Sequence, residues 1–105
     1  MALTSHLPQI VSTALASALA SQIRLPEDAP AAGPALLDMT RLALSDYSMW
    51  GDIIATNAGN IGAALDAFLA RLSAVRDKLQ GGDLSADFER AAEFASALRE
   101  AKTRE

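Results

Sequence analysis

The apolar positions of this chain recur at helical spacing, and no stretch alternates as a half-buried strand would. Over residues 3–22, Leu7, Ile10, Val11, Ala14, Leu15, Ala18 and Leu19 share one helical face. Pro8 falls in the first turn, where a missing N–H is tolerated. Ser12, Ser17 and Ser21 lie off that face. Residues 25–34 hold three prolines and a glycine and predict a loop. A short helix is expected over 35–44. Ser45-Asp46 then offers a cap, with acid at the positive end, for a helix carrying Tyr47, Met49, Trp50, Ile53 and Ile54.

Asn57-Ala-Gly-Asn60 marks a kink or a break in the next helical stretch. Beyond it, Ile61, Leu65, Phe68, Leu72, Val75 and Leu79 step by 4, 3, 4, 3 and 4, which is a heptad seam. Gly81-Gly82 ends that helix and Asp83 caps another, where Leu84, Phe88, Ala91, Ala95 and Leu98 repeat the spacing. Two seams joined by a two-glycine turn predict an antiparallel helical hairpin, with fraying at 102–105. The expected fold class is all-α: one helical bundle over 1–105 ending in a hairpin whose seams pack within the protomer or across a dimer.

Composition sharpens this picture. Alanine supplies 23 of the 105 residues and leucine 15, both strong helix formers. A domain of this length hides roughly 65% of its unfolded surface, which is marginal when so many apolar groups are single methyls. The pattern therefore points to a helical module that completes its core against something else.

Charge and chemistry exclude several classes. With no cysteine there is no disulfide framework, zinc finger or thiol nucleophile, and the lone His6 forms no metal cluster by itself. A net charge of -4 argues against a nucleic-acid partner. The first 70 residues contain two basic residues, Arg24 and Arg41, against six acids. The apolar run over 7–20 lacks a preceding cation, is broken by Ser and Thr, and is too short to span a bilayer. A cytoplasmic protein without a membrane partner is the expectation.

Few residues are placed to carry chemistry. His6 is either an exposed polar residue of a first turn or a donor to an anion at a helix N-terminus. Arg41 either pairs with Asp38 three residues earlier or clamps a carboxylate with its guanidinium fork. Trp50, the only tryptophan, is more often packing than ligand stacking.

Three motifs in register carry a family resemblance. Ser5-His-Leu-Pro-Gln9 before an apolar helix resembles the Ser-His-Leu-Pro-His element opening the C-terminal domain of prephenate dehydrogenases. Asp38-Met-Thr-Arg-Leu-Ala43 is similar to that family's Arg-Asp-x-Thr-Arg-Ile-Ala. Ser45-Asp-Tyr-Ser-Met-Trp-Gly-Asp-Ile53 with Asn57 is similar to its Ser-Asp-Pro-x-Met-Trp-x-Asp-Ile followed by Asn. The resemblance covers about 3–101. It implies an all-helical domain that dimerises by interlocking helices and is coupled, in the whole enzyme, to an N-terminal Rossmann domain holding NAD or NADP. The reaction implied is oxidative decarboxylation of prephenate or arogenate on the route to tyrosine.

By the same resemblance Arg41 grips a substrate carboxylate, Ser5, His6 and Gln9 line the same site, and Asp38 and Trp50 support it or reach the partner subunit. The family's catalytic histidine and dinucleotide fingerprint belong to the Rossmann domain, which this chain lacks. As an excised domain or truncated gene product it is expected to bind no cofactor and to be inactive alone. Gln9 stands in place of a second His, Leu37 in place of an Arg, and Tyr47 in place of a common Pro. The runner-up reading is a helical-hairpin interaction module without a substrate. A helical chorismate mutase needs several cations around a dianion, and this chain offers too few.

Overall fold

The computed structural model describes residues 1–105 as helices without strands. They fall into two compact units, Met1–Asp66 and Ala67–Glu105. A wide π-type turn over Ala2–His6 runs directly into α1, Leu7–Ala20. After the proline-rich loop comes the short helix α2, Pro34–Thr40, which tightens into a 3-10 turn over Arg41–Leu44. Helix α3 spans Tyr47–Lys78 and α4 spans Ser85–Thr103. The elements follow the hydrophobic spacing closely, and the all-α expectation holds.

Asn57 is the kink. Its backbone leaves helical geometry at φ -126, ψ 24 inside α3. A local cause is visible one residue earlier, where the Thr56 hydroxyl donates to the carbonyl oxygens of Asp52 (2.8 Å) and Ile53 (3.3 Å). A side-chain donor competing for the i−4 carbonyl bends a helix at that turn.

The first unit is built differently from the sequence expectation. α1 packs against α2 and the 3-10 turn, yet its most buried side chains are Gln9 (6% exposed) and Ser12 (4%), not the apolar row. His6, just ahead of α1, continues the same buried line. Leu7, Ile10, Val11 and Leu15 are half-buried and Ala14 is exposed. The reason lies in the partner surface. The facing element ends in backbone carbonyl groups with lone pairs left to accept further bonds, and they draw polar side chains. The Ser12 hydroxyl donates to the Met39 carbonyl at 2.8 Å, and Gln9 Nε2 donates to that of Leu42 at 2.7 Å. Ile61 and Ala64 of α3 are the buried apolar residues of the unit.

In the second unit Gly81 takes the left-handed conformation, φ +81, and the Gly82 N–H caps the Lys78 carbonyl at 3.1 Å. A Cβ on Gly82 would meet that carbonyl oxygen at 2.7 Å, so both glycines are required for this helix stop. Asp83 sits one residue ahead of the capping position and accepts from the Ser85 N–H (2.9 Å) and hydroxyl (3.0 Å). These bonds, the backbone one first, hold its carboxyl below the usual range.

Asp87 of α4 binds Lys78 at 2.9 Å and Arg71 at 3.7 Å. The two helices are joined at the turn in this way, but they do not pack against each other along their length. Leu72 and Leu79 of the first seam and Phe88 and Leu98 of the second remain exposed. Only the start of the first seam, Ile61, is buried within the protomer.

Candidate functional site

The residues singled out from the sequence gather around the start of α1. His6 is only 7% exposed, so the reading of it as an exposed first-turn residue is corrected. Its ring meets Trp50 of α3 edge to face, with centroids 5.6 Å apart and planes at 90°. That contact pins both aromatic groups and explains why half-buried Trp50 points inward. On the other side of the ring, Nδ1 lies 3.2 Å from Nδ2 of Asn57. Asn57 is itself held by Asn60, whose Nδ2 donates to Asn57 Oδ1 at 2.7 Å. The helix kink thus places an amide against the imidazole. The other ring nitrogen, Nε2, has no hydrogen-bond partner, and no unpartnered side-chain nitrogen is sealed from solvent. The ring is therefore largely buried, with Nε2 not sealed from solvent. Ser5, one residue earlier, is half-buried.

Gln9 has a fully occupied amide. Its Nε2 donates to the Leu42 carbonyl and to Thr13 Oγ1 (3.2 Å), and its Oε1 accepts from the Ser45 hydroxyl at 3.2 Å. Gln9 therefore ties α1 to both ends of the segment between Leu42 and Ser45. Arg41 is next to that tie. Its backbone N–H is bound to the Asp38 carbonyl at the end of α2, but the Asp38 and Arg41 side chains form no ion pair, and every salt bridge of the chain lies elsewhere. The i,i+3 pairing weighed for Arg41 is thus not made. Both side chains are exposed, which leaves the guanidinium available to an outside anion. No group of three His, Cys, Asp or Glu is close enough to hold a metal ion.

Sequence reasoning missed three participants. Ser12 and Ser45 act through hydroxyl bonds to Met39 and Gln9, and Asn60 through Asn57. The signal for the first two was the polar line 6, 9, 12 along α1, which the neighbouring apolar row obscured.

The first unit thus carries a buried imidazole at the start of α1 and an arginine without an ion pair on the segment facing that helix, and the second carries exposed apolar side chains on both of its helices. The chain belongs to the family described as prephenate dehydrogenase, dimerization domain, which it matches over residues 1–100. Among curated proteins it is similar to the cyclohexadienyl dehydrogenase of Zymomonas mobilis subsp. mobilis, at 35% identity over 86 residues. That alignment covers 79% of this chain and 29% of the relative, so the chain spans less than a third of the relative's length. No solved structure matches.

Proposed function

We propose that this chain is the dimerisation and substrate-binding domain of a prephenate or arogenate dehydrogenase, a cytoplasmic enzyme of tyrosine biosynthesis that works as a homodimer. The observation that carries the binding role is Arg41. It is the unpaired cation of a short segment locked to α1 by Gln9 and Ser12, and a guanidinium held in this way receives a carboxylate in bidentate fashion. His6 and Ser5 line the same side of the site. Gln9 keeps its place there as the group that positions Arg41, its own amide being engaged internally. Asp38 and Trp50 support the two ends.

The homodimer is supported by surface area. The chain exposes 8390 Å², against about 5,600 Å² expected for a self-contained folded monomer of this mass. The excess is of the size that an obligate interface covers, and the exposed seam residues Leu72, Leu79, Phe88 and Leu98 contribute apolar area to it. Interlocking of these helices with a second copy would cover them. An 18-residue window of α3 also reaches a mean hydropathy of 1.3, enough by length and composition for a membrane span. Asn57 and Asn60, engaged with His6 inside that helix, favour a protein partner over lipid.

NAD or NADP belongs to a Rossmann partner domain in this reading. The helices here contain no strand followed by a glycine loop, so they do not fit a dinucleotide, and no hydride step is assigned to them. Their part is to bind and orient the carboxylates. The test is Arg41→Ala in the dehydrogenase carrying this domain. A substrate KM raised at least tenfold with the fold intact is expected, and an unchanged KM would favour an interaction module without a substrate.

A further inference from the structure

We propose that Asn57 and Asn60 form an amide relay that sets the tautomer of His6, making Nε2 the proton-bearing, ligand-facing nitrogen. Asn60 Nδ2 donates to Asn57 Oδ1 at 2.7 Å. That bond uses the Asn57 oxygen and turns its NH₂ group toward the imidazole, 3.2 Å from Nδ1. An amide N–H donates only to an unprotonated ring nitrogen. The neutral ring then carries its proton on Nε2, the nitrogen that has no partner within the chain. Trp50, edge-on to the ring at 5.6 Å, blocks rotation that would exchange the two nitrogens. The departure of Asn57 from helical backbone angles is what carries its side chain to His6.

The consequence is a neutral hydrogen-bond donor of fixed direction at the start of α1. A dicarboxylate substrate needs donors, and Nε2–H supplies one without requiring a charged imidazolium. This deepens the proposed function and rests on the reading of His6 as a substrate-facing group. Asn57 and Asn60 are positioning residues in it, acting through His6.

The single histidine makes the relay directly observable. Nitrogen NMR of the whole chain labelled only in histidine, at a pH where the ring is neutral, reports which nitrogen is protonated. The expected spectrum has a pyridine-type Nδ1 and a pyrrole-type Nε2. Asn57→Asp replaces the donor by an acceptor and should move the proton to Nδ1. Asn60→Ala, at an exposed position with little structural cost, should give a mixture of tautomers. A wild-type ring protonated on Nδ1, which requires both amides turned, would overturn the proposal, as would a wild-type spectrum left unchanged by both variants. Addition of prephenate forms a separate arm. A shift of the Nε2 resonance supports the substrate-facing role of His6. No shift at millimolar prephenate counts against that role, while the tautomer measurement stands on its own.

Discussion

Gln9→Leu isolates the polar tie between α1 and the arginine-bearing segment. Leucine is close in size and keeps the buried position filled, so the change removes three hydrogen bonds and little volume. The bonds differ in weight. The 2.7 Å bond to the Leu42 carbonyl is the strongest, and that carbonyl retains the Ser45 N–H at 3.1 Å after the substitution. Thr13 and Ser45, the partners at 3.2 Å, are exposed and regain water. A net loss near that of one good buried bond, about 1–1.5 kcal/mol, follows, reduced by the apolar gain of leucine. For a domain of this size the expected fall in Tm is about 4–8 °C per kcal/mol. Thermal melts by circular dichroism, at matched protomer concentration because a dimer's midpoint depends on it, read the change. Binding to the anionic substrate should weaken in parallel, since Arg41 loses its anchor. A variant with an unchanged midpoint and unchanged binding would refute the view that Gln9 holds the two elements together.

Arg41→Ala should leave stability within about 0.5 kcal/mol, as expected for an exposed residue without partners, while substrate affinity falls; matched melts and titrations separate the two. Charged substitutions in the exposed seams, Leu72→Glu or Phe88→Glu, should shift the chain from dimer to monomer in light scattering at micromolar concentration, and a wild-type monomer would contradict the dimer outright. Asp87 has its carboxyl held low by the Lys78 hydrogen bond first and then by the charges of Lys78, Arg71 and Arg90, against a smaller opposing effect of desolvation. A depressed carboxylate stabilises the folded state fully above its unfolded value and loses that contribution as pH falls through the folded value. Acid titration of stability should therefore show a loss that starts near the ordinary carboxylate range and continues below it, and Asp87→Asn should flatten the curve in that window.

The helices were legible because apolar spacing and punctuation agree. Pro34 starts α2, the glycine pair stops α3, and Asn57 falls at the kink within a segment rich in helix breakers. The three motifs also name residues that the structure joins: His6 meets Trp50 and Asn57, and Gln9 bonds to Leu42, next to Arg41, and to Ser45. What escaped was the direction in which α1 faces. Hydropathy ranks Gln9 and Ser12 as solvent-seeking, but the surface they meet is backbone carbonyl, which rewards donors. The inward position of His6 escaped for a related reason. It depends on Trp50 and Asn57, more than forty residues away, and no local pattern reports that meeting. The heptad spacing of the seams predicts packing surfaces, and within the protomer Leu72, Leu79 and Phe88 remain exposed.

The buried line of His6, Gln9 and Ser12 has a consequence for how the domain tolerates change. Apolar packing allows one helix to slide on another by a turn with modest loss, because contacts are traded for similar contacts. Hydrogen bonds to Met39 and Leu42 do not permit this. A slip of one residue breaks both bonds and leaves the buried Gln9 and Ser12 donors without these acceptors. α1 is thereby locked in register to the segment that carries Arg41. A variant with leucine at all three positions should remain helical and stable while losing the fixed spacing between the arginine and the start of α1. Polar burial here acts as a ruler, and stability alone would be a poor guide to whether the site survives.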